Sequence, residues 1–225
     1  MYQIDDAICP GNPLLPRRNN MNVAILLFTE FETLDVFGPV EIFGRLKDDY
    51  KVKFYSLSGV DVSNSHGVTI NTCKLEEIKD GADIFLIPGG YGTRTEVANE
   101  ELIKAIRKIA ELSRYVLTVC TGTALLARTG LLDFKKATSN KRAFDWVMTN
   151  GENVNWVRKA RWVVDGKFHT SSGVTAGMDM TLDFIKGMHD IETARRVASE
   201  IEYAWTEDST EDSFYQGGQA SAHKT

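Results

Sequence analysis

The sequence has few cysteines, and their spacing argues against two common uses of this residue. Only Cys9, Cys73 and Cys120 occur among 225 residues, and no two of them lie close together. Such scattered positions match neither a disulfide framework nor a metal-binding motif. We therefore expect free thiols, no metal site and a reducing, cytoplasmic setting.

Long apolar runs and clusters of basic residues are also missing. No apolar stretch approaches the ~20 residues that a membrane-spanning helix needs. Residues 1–20 lack the apolar core of a secretory signal. The net charge is −5 without a basic cluster, which argues against nonspecific nucleic-acid binding. We expect neither a membrane nor a nucleic acid as a partner.

Proline is scarce outside the N-terminus, where three of the five prolines fall within residues 1–20. We interpret residues 1–20 as an irregular extension, residues 21–205 as one folded domain, and residues 206–225 as a C-terminal tail. A chain of 225 residues fits a single α/β domain.

Apolar runs alternate with helical patterns within the predicted domain. Residues 23–28, 83–87 and 115–119 are apolar runs that suit strands buried on both faces. Residues 100–113 carry apolar side chains at helical spacing, and a second helical pattern begins near Thr33. This alternation predicts a mostly parallel sheet covered by helices on both faces.

Cys120 stands at a predicted turn between a strand and a helix. It ends the apolar run and is followed by Thr121 and Gly122. A turn of this kind can present a nucleophile, as in the hydrolase elbow. Because a helix N-terminus favours a thiolate, we expect a pKa below the ~8.5 of a free thiol. The alternative is a buried structural cysteine.

Two further segments should meet Cys120 at the carboxyl edge of the sheet, where open α/β folds bind ligands. Gly89 and Gly90 follow a predicted strand, and the N–H groups of Gly90 and Thr121 could form an oxyanion hole. Asp35 lies in the first turn of the first helix. A plain tight turn and a helix-dipole contact are the alternatives for the glycines and for Asp35.

Short motifs in a fixed order resemble the DJ-1/PfpI superfamily, which is related to class I glutamine amidotransferase domains. The resemblance runs from about residue 22 to residue 205, and its motifs fall at residues 34–41, 87–90, 119–122, 130–138 and 172–179. The Leu-Asp-x-x-Gly-Pro and Cys-Thr-Gly forms look most like the isonitrile hydratase branch, and they also resemble domains of some AraC-type regulators.

The resemblance implies a flavodoxin-like three-layer α/β sandwich with a nucleophile elbow, usually in a homodimer. It implies Cys120 as the nucleophile, Asp35 as its acidic partner and Thr121 as the residue after the nucleophile. It implies Gly89, Gly90 and Thr121 for binding of the substrate or an oxyanion, and no metal or organic cofactor. The sequence departs from many relatives at Asn140, in a segment where they place a histidine.

The resulting hypothesis is a cysteine-dependent hydratase or hydrolase of a small electrophile. Its concrete form follows isonitrile hydratase, which converts an isocyanide to an N-substituted formamide. One alternative is a ligand-sensing or redox-sensing domain without turnover. Another is the glyoxalase or deglycase activity attributed to other members of the superfamily.

Overall fold

Eleven strands occur in the part of the chain that the structure describes. The structure is a computed structural model that describes residues 20–216. All but one residue of the predicted extension, and residues 217–225 of the predicted tail, therefore lie outside it. The strands are β1 (Met21–Leu26), β2 (Tyr50–Ser56), β3 (Val62–Ser63), β4 (Thr69–Ile70), β5 (Cys73–Lys74), β6 (Ile84–Ile87), β7 (Tyr115–Thr118), β8 (Lys136–Ala137), β9 (Asn155–Trp156), β10 (Trp162–Asp165) and β11 (Phe168–Ser171).

Helices flank the main sheet in two groups. The helices are α1 (Thr33–Gly44), α2 (Thr93–Glu96), α3 (Glu100–Leu112), α4 (Gly122–Arg128), α5 (Phe144–Met148), α6 (Ala176–Met188) and α7 (Ile191–Glu200). Helix α6 packs against α1 and α7, whereas α3 packs against α4. This arrangement confirms the predicted three-layer sandwich. None of the helices within residues 20–216 is both long and apolar enough to cross a membrane.

The seven-stranded main sheet has the order β10-β11-β7-β6-β1-β2-β5. Every neighbouring pair is parallel except the β10–β11 hairpin. Strands β1, β6 and β7 lie in the middle because their apolar runs can be buried on both faces. All four residues of β6, for example, are fully buried.

The parallel register brings the carboxyl ends of neighbouring strands to one edge. Ile87 at the end of β6 lies opposite Thr118 at the end of β7, and Thr118 lies opposite Thr170 in β11. The segments that follow these strands therefore meet, and they contain Gly89, Cys120 and Val174. This edge is where the sequence predicts the site.

Beyond α7 the chain returns to the domain. Residues 206–216, hereafter the C-terminal segment, belong to the tail in the sequence-based division. The carbonyl of Ser209 accepts a hydrogen bond from the Arg161 N–H at 2.8 Å. The side chain of Asp212 is fully buried. This part of the predicted tail therefore packs on the folded domain.

Candidate active site

Cys120 occupies a strained turn between β7 and α4. Its φ is +57°, in the left-handed region that side chains rarely adopt. Two contacts hold this backbone: the Cys120 N–H donates to the Ser172 carbonyl at 3.1 Å, and the Ser139 hydroxyl donates to the Cys120 carbonyl at 2.6 Å. Gly122 is needed beside it, because a Cβ there would lie 2.6 Å from the Pro88 carbonyl oxygen. The predicted elbow is confirmed.

Asp35 lies beside Cys120 and is fully buried. Its Oδ2 accepts a hydrogen bond from the Gly89 N–H at 2.9 Å, across 54 positions of sequence. Its Oδ1 has no hydrogen-bond partner among residues 20–216. Burial without a neighbouring cation raises the pKa of Asp35 to about 8, against the pull of the Gly89 N–H. At neutral pH this carboxyl therefore holds a proton.

The pKa of the Cys120 thiol is raised, which corrects the expectation of a lowered value. Burial is the main cause, and Asp35 acts in the same direction when it is ionised. The sulfur is almost enclosed, since Cys120 is only 7% exposed, and α4 has only seven residues. Desolvation therefore outweighs the positive end of the helix. The resting pair is a neutral thiol beside a protonated carboxyl.

Gly89 and Gly90 position side chains in this structure, which revises the predicted oxyanion hole. The Gly89 N–H donates to Asp35, and the Gly90 N–H donates to Thr121 Oγ1 at 3.0 Å. Neither N–H is therefore open to a substrate here. A side chain at Gly89 would lie 2.6 Å from the Thr121 nitrogen, so only glycine allows this close approach. A direct contact of Gly89 or Gly90 with substrate stays a prediction.

Three hydrogen-bond donors surround the sulfur of Cys120. They are the N–H of Thr121, the N–H of Val174 and the side-chain amide of Asn140, and each lowers the pKa of the thiol against burial. The sequence analysis expected the Thr121 N–H to bind an oxyanion; here it lies beside the sulfur, and its contact with a substrate stays a prediction. Val174 follows β11 and has a φ of +45°. Val174 lies within the motif at residues 172–179, but that motif did not identify its N–H as a donor, because the position of the N–H depends on the turn after β11.

The orientation of the Asn140 side chain is determined by its neighbours. Its Oδ1 accepts hydrogen bonds from the N–H groups of Arg142 and Ala143, at 3.0 and 3.1 Å. The amide NH₂ is therefore the group that faces Cys120. A Cβ on Gly173 would collide with this Nδ2, so Gly173 makes room for the amide. The sequence marked Asn140 as a departure but did not identify it as a donor.

The described histidines have other partners. His66 Nδ1 lies 2.7 Å from Thr33 Oγ1, and His189 Nε2 lies 2.9 Å from the Tyr50 hydroxyl. His169 is buried against the rings of Tyr115 and Phe184, and burial lowers its pKa to about 4. The structure therefore offers an acid–thiol pair, rather than a cysteine–histidine dyad, as the chemical centre.

The remaining cysteines and metal-ligating side chains form no second centre in the described chain. Cys73 is half-buried and contacts the Lys53 side chain, and Cys9 lies outside the described residues. Within residues 20–216, histidine, cysteine and carboxylate side chains form no group of three that could hold a metal ion.

Comparison with known proteins gives consistent results. A model of the DJ-1/PfpI family matches residues 21–187. Isonitrile hydratase from Pseudomonas putida is 32% identical over 184 residues, which cover 82% of this chain and 79% of that enzyme. A deglycase from Thermococcus kodakarensis is 29% identical over 154 residues, which cover 67% of this chain and 89% of the deglycase.

A solved structure has the same fold. A THiJ/PfpI family protein from Pseudomonas syringae superposes with a TM-score of 0.76. The two share 24% sequence identity, and the match covers 96% of this chain and 87% of the other. The likeness therefore concerns the fold.

Proposed function

This chain belongs to the DJ-1/PfpI family, and from that premise we propose that it is a cysteine-dependent enzyme that hydrates isocyanides to N-substituted formamides. One observation carries the proposal: a thiol on a strained turn lies beside a buried carboxyl that holds its proton at neutral pH. The similarity to isonitrile hydratase over most of both chains supports the choice of substrate class.

The proposed reaction needs a proton donor and a sulfur nucleophile at the same carbon atom. The terminal carbon of the isocyanide takes the Asp35 proton while the Cys120 sulfur bonds to it, and the thiol proton passes to Asp35. The product of this step is a thioimidate. Water then adds to the same carbon, the carbon–sulfur bond breaks, and the thiol is restored as the formamide leaves. In sum, one isocyanide and one water give one N-substituted formamide, and no group of the protein changes its oxidation state.

The raised pKa values suit this sequence of proton transfers. A carboxyl with a pKa of about 8 can give and regain a proton near neutral pH. The thiol needs to lose its proton to Asp35 only as the isocyanide carbon takes a proton from Asp35. The N–H groups of Thr121 and Val174 and the Asn140 amide then stabilise the negative charge that develops on sulfur.

A deglycase-type activity is the second candidate. The similarity to the Thermococcus deglycase covers most of that protein, which favours this alternative. The same pair could also act on an aldehyde, because Cys120 could attack the carbonyl carbon while Asp35 protonates the oxygen. A sensing domain without turnover is the remaining alternative. The homodimer and the cytoplasmic setting stay predictions.

The test is a substrate panel of alkyl and aryl isocyanides with methylglyoxal beside them. Wild type should produce formamides, and Cys120→Ser should lose on the order of 10⁴-fold or more in turnover, because the nucleophile is gone. Cys73→Ser is the matched control and should behave as wild type. Consumption of methylglyoxal alone would support the second candidate, and no turnover of any substrate would support sensing.

A further inference from the structure

Four buried charges connect the C-terminal segment with the loops around Cys120. They are two cations and two carboxylates, each at most 8% exposed, namely Lys141, Arg161, Asp179 and Asp212. Arg161 Nε lies 2.6 Å from Asp179 Oδ2, and Arg161 Nη1 lies 3.8 Å from Asp212 Oδ1. Lys141 Nζ lies 3.8 Å from Asp212 Oδ2. The charges balance, which a buried cluster requires.

Lys141 ties down the loop that carries Asn140. It follows Asn140 directly, and its ammonium donates to Thr138 Oγ1 at 3.0 Å and to the Ala160 carbonyl at 2.5 Å. These bonds fold the loop back on itself and anchor it to the chain before β10. Burial lowers the pKa of Lys141 to about 8, and the nearby Asp212 carboxylate opposes that loss of charge.

Arg161 ties down the turn that carries Val174. Its carbonyl accepts a hydrogen bond from the Ser172 N–H at 2.8 Å. Its guanidinium donates to Thr175 Oγ1 at 3.3 Å. The turn is therefore held on both sides of Val174 by one residue.

Asp212 is the member of the cluster that the C-terminal segment supplies. The segment lies beyond residue 187, where the family match ends. The Asp212 N–H donates to the Lys159 carbonyl at 3.0 Å, which seats the segment on the domain. Its Oδ2 has no hydrogen-bond partner among the described residues, so the Lys141 ammonium is the charge that this oxygen faces. Without Asp212, Arg161 would keep Asp179 as a partner, whereas Lys141 would lose the carboxylate that its ammonium faces.

We propose that Asp212 is a positioning residue for Cys120: its carboxylate holds Lys141 and Arg161 in place, and these hold the Asn140 amide and the Val174 N–H against the sulfur. The inference rests on the proposed role of Cys120 as the nucleophile. If Asp212 has this role, residues 206–216 contribute to the reactivity of Cys120. Loss of the Asp212 charge should let both loops move and withdraw two donors from the sulfur.

The test measures the reactivity of Cys120 without any substrate. Alkylation by iodoacetamide is followed across pH by mass spectrometry in wild type, Asp212→Asn and Lys141→Gln, with thermal unfolding on the same samples. Both variants should slow alkylation of Cys120 about tenfold at every pH below the pKa of the thiol, which is the change that a rise of about one unit in that pKa would give. Glu207→Gln is the matched control, because Glu207 lies on the same segment but pairs with Arg195 at the surface.

Three results would overturn the proposal, and they differ in what they imply for Cys120. An Asp212→Asn variant that unfolds more easily but alkylates as wild type would show a structural role only. If Asp212→Asn does not fold, an alkylation profile of Lys141→Gln that equals the wild-type profile would likewise show a structural role only. If Cys120→Ser retains the turnover of wild type, the nucleophile assignment fails as well, and the proposed function falls with it.

Discussion

Two regions of the molecule bury carboxylates, and they differ in whether a cation lies beside them. Asp35 and Asp179 are both fully buried, and burial raises the pKa of each. At Asp179 the Thr206 N–H and the Arg161 guanidinium oppose that shift. At Asp35 one backbone N–H and a thiol are the opposing groups. The cation makes Asp179 an anchor of the fold, whereas its absence leaves Asp35 as a carrier of a proton.

Among the tests of this comparison, the largest expected effect comes from removing the exchangeable proton at Asp35. Asp35→Asn keeps the size of the side chain but cannot exchange a proton near neutral pH. Turnover of any substrate that requires Cys120 should fall about 10²–10⁴-fold, the usual contribution of a general acid–base residue. Steady-state kinetics and thermal unfolding on one preparation check this. Full activity in the variant would remove Asp35 from the mechanism.

The region around Asp179 is tested by removing its cation, the Arg161 guanidinium. Arg161→Met keeps an aliphatic side chain but leaves Asp179 and Asp212 with one fewer positive partner. Breaking a buried pair in this way typically costs about 3–5 kcal/mol, so the free energy of unfolding in urea should fall by that order. Arg195→Met removes an exposed ion pair with Glu207, and its free energy of unfolding should stay close to that of wild type. Equal losses of unfolding free energy in the two variants would show that Arg161 does not anchor the fold more than a surface arginine does.

Over a single pH unit, the smallest expected effect is the dependence of stability on pH. The pKa of Asp35 is about 8 in the folded protein against an ordinary 3.8, so the stability from its protonated form is complete below about pH 4 and is lost as pH rises towards 8. The slope is at most about 1.4 kcal/mol per pH unit. Wild type should therefore lose stability relative to Asp35→Asn over this range. Urea unfolding at several pH values measures it, and parallel curves would count against a raised pKa.

The local sequence predicted the fold and the part of the site that contains Cys120 and Asp35. The apolar runs of β1, β6 and β7 and the helical spacing of α3 identify their elements, because the period of apolar residues depends on near neighbours in the chain. The turn at Cys120 and the helix start near Asp35 are equally local. Since parallel strands end at one edge, the meeting of these two residues also followed from the sequence.

The hydrogen-bonding partners around the sulfur could not be found in the same way. Asn140 and Val174 lie 20 and 54 positions after Cys120 in the numbering, in loops without helical or strand periodicity.

The sequence by itself determined which residues stand at the ends of the strands, and with them the thiol, the acid and the glycines of the site. Only the tertiary structure decided the protonation of the pair, because a pKa depends on the burial and charges within a few ångströms of the group. Those surroundings come from segments far apart in the chain: Gly89 reaches Asp35 across 54 positions. Tertiary packing also brought Asp212 of the C-terminal segment to Lys141, since charges buried together must balance.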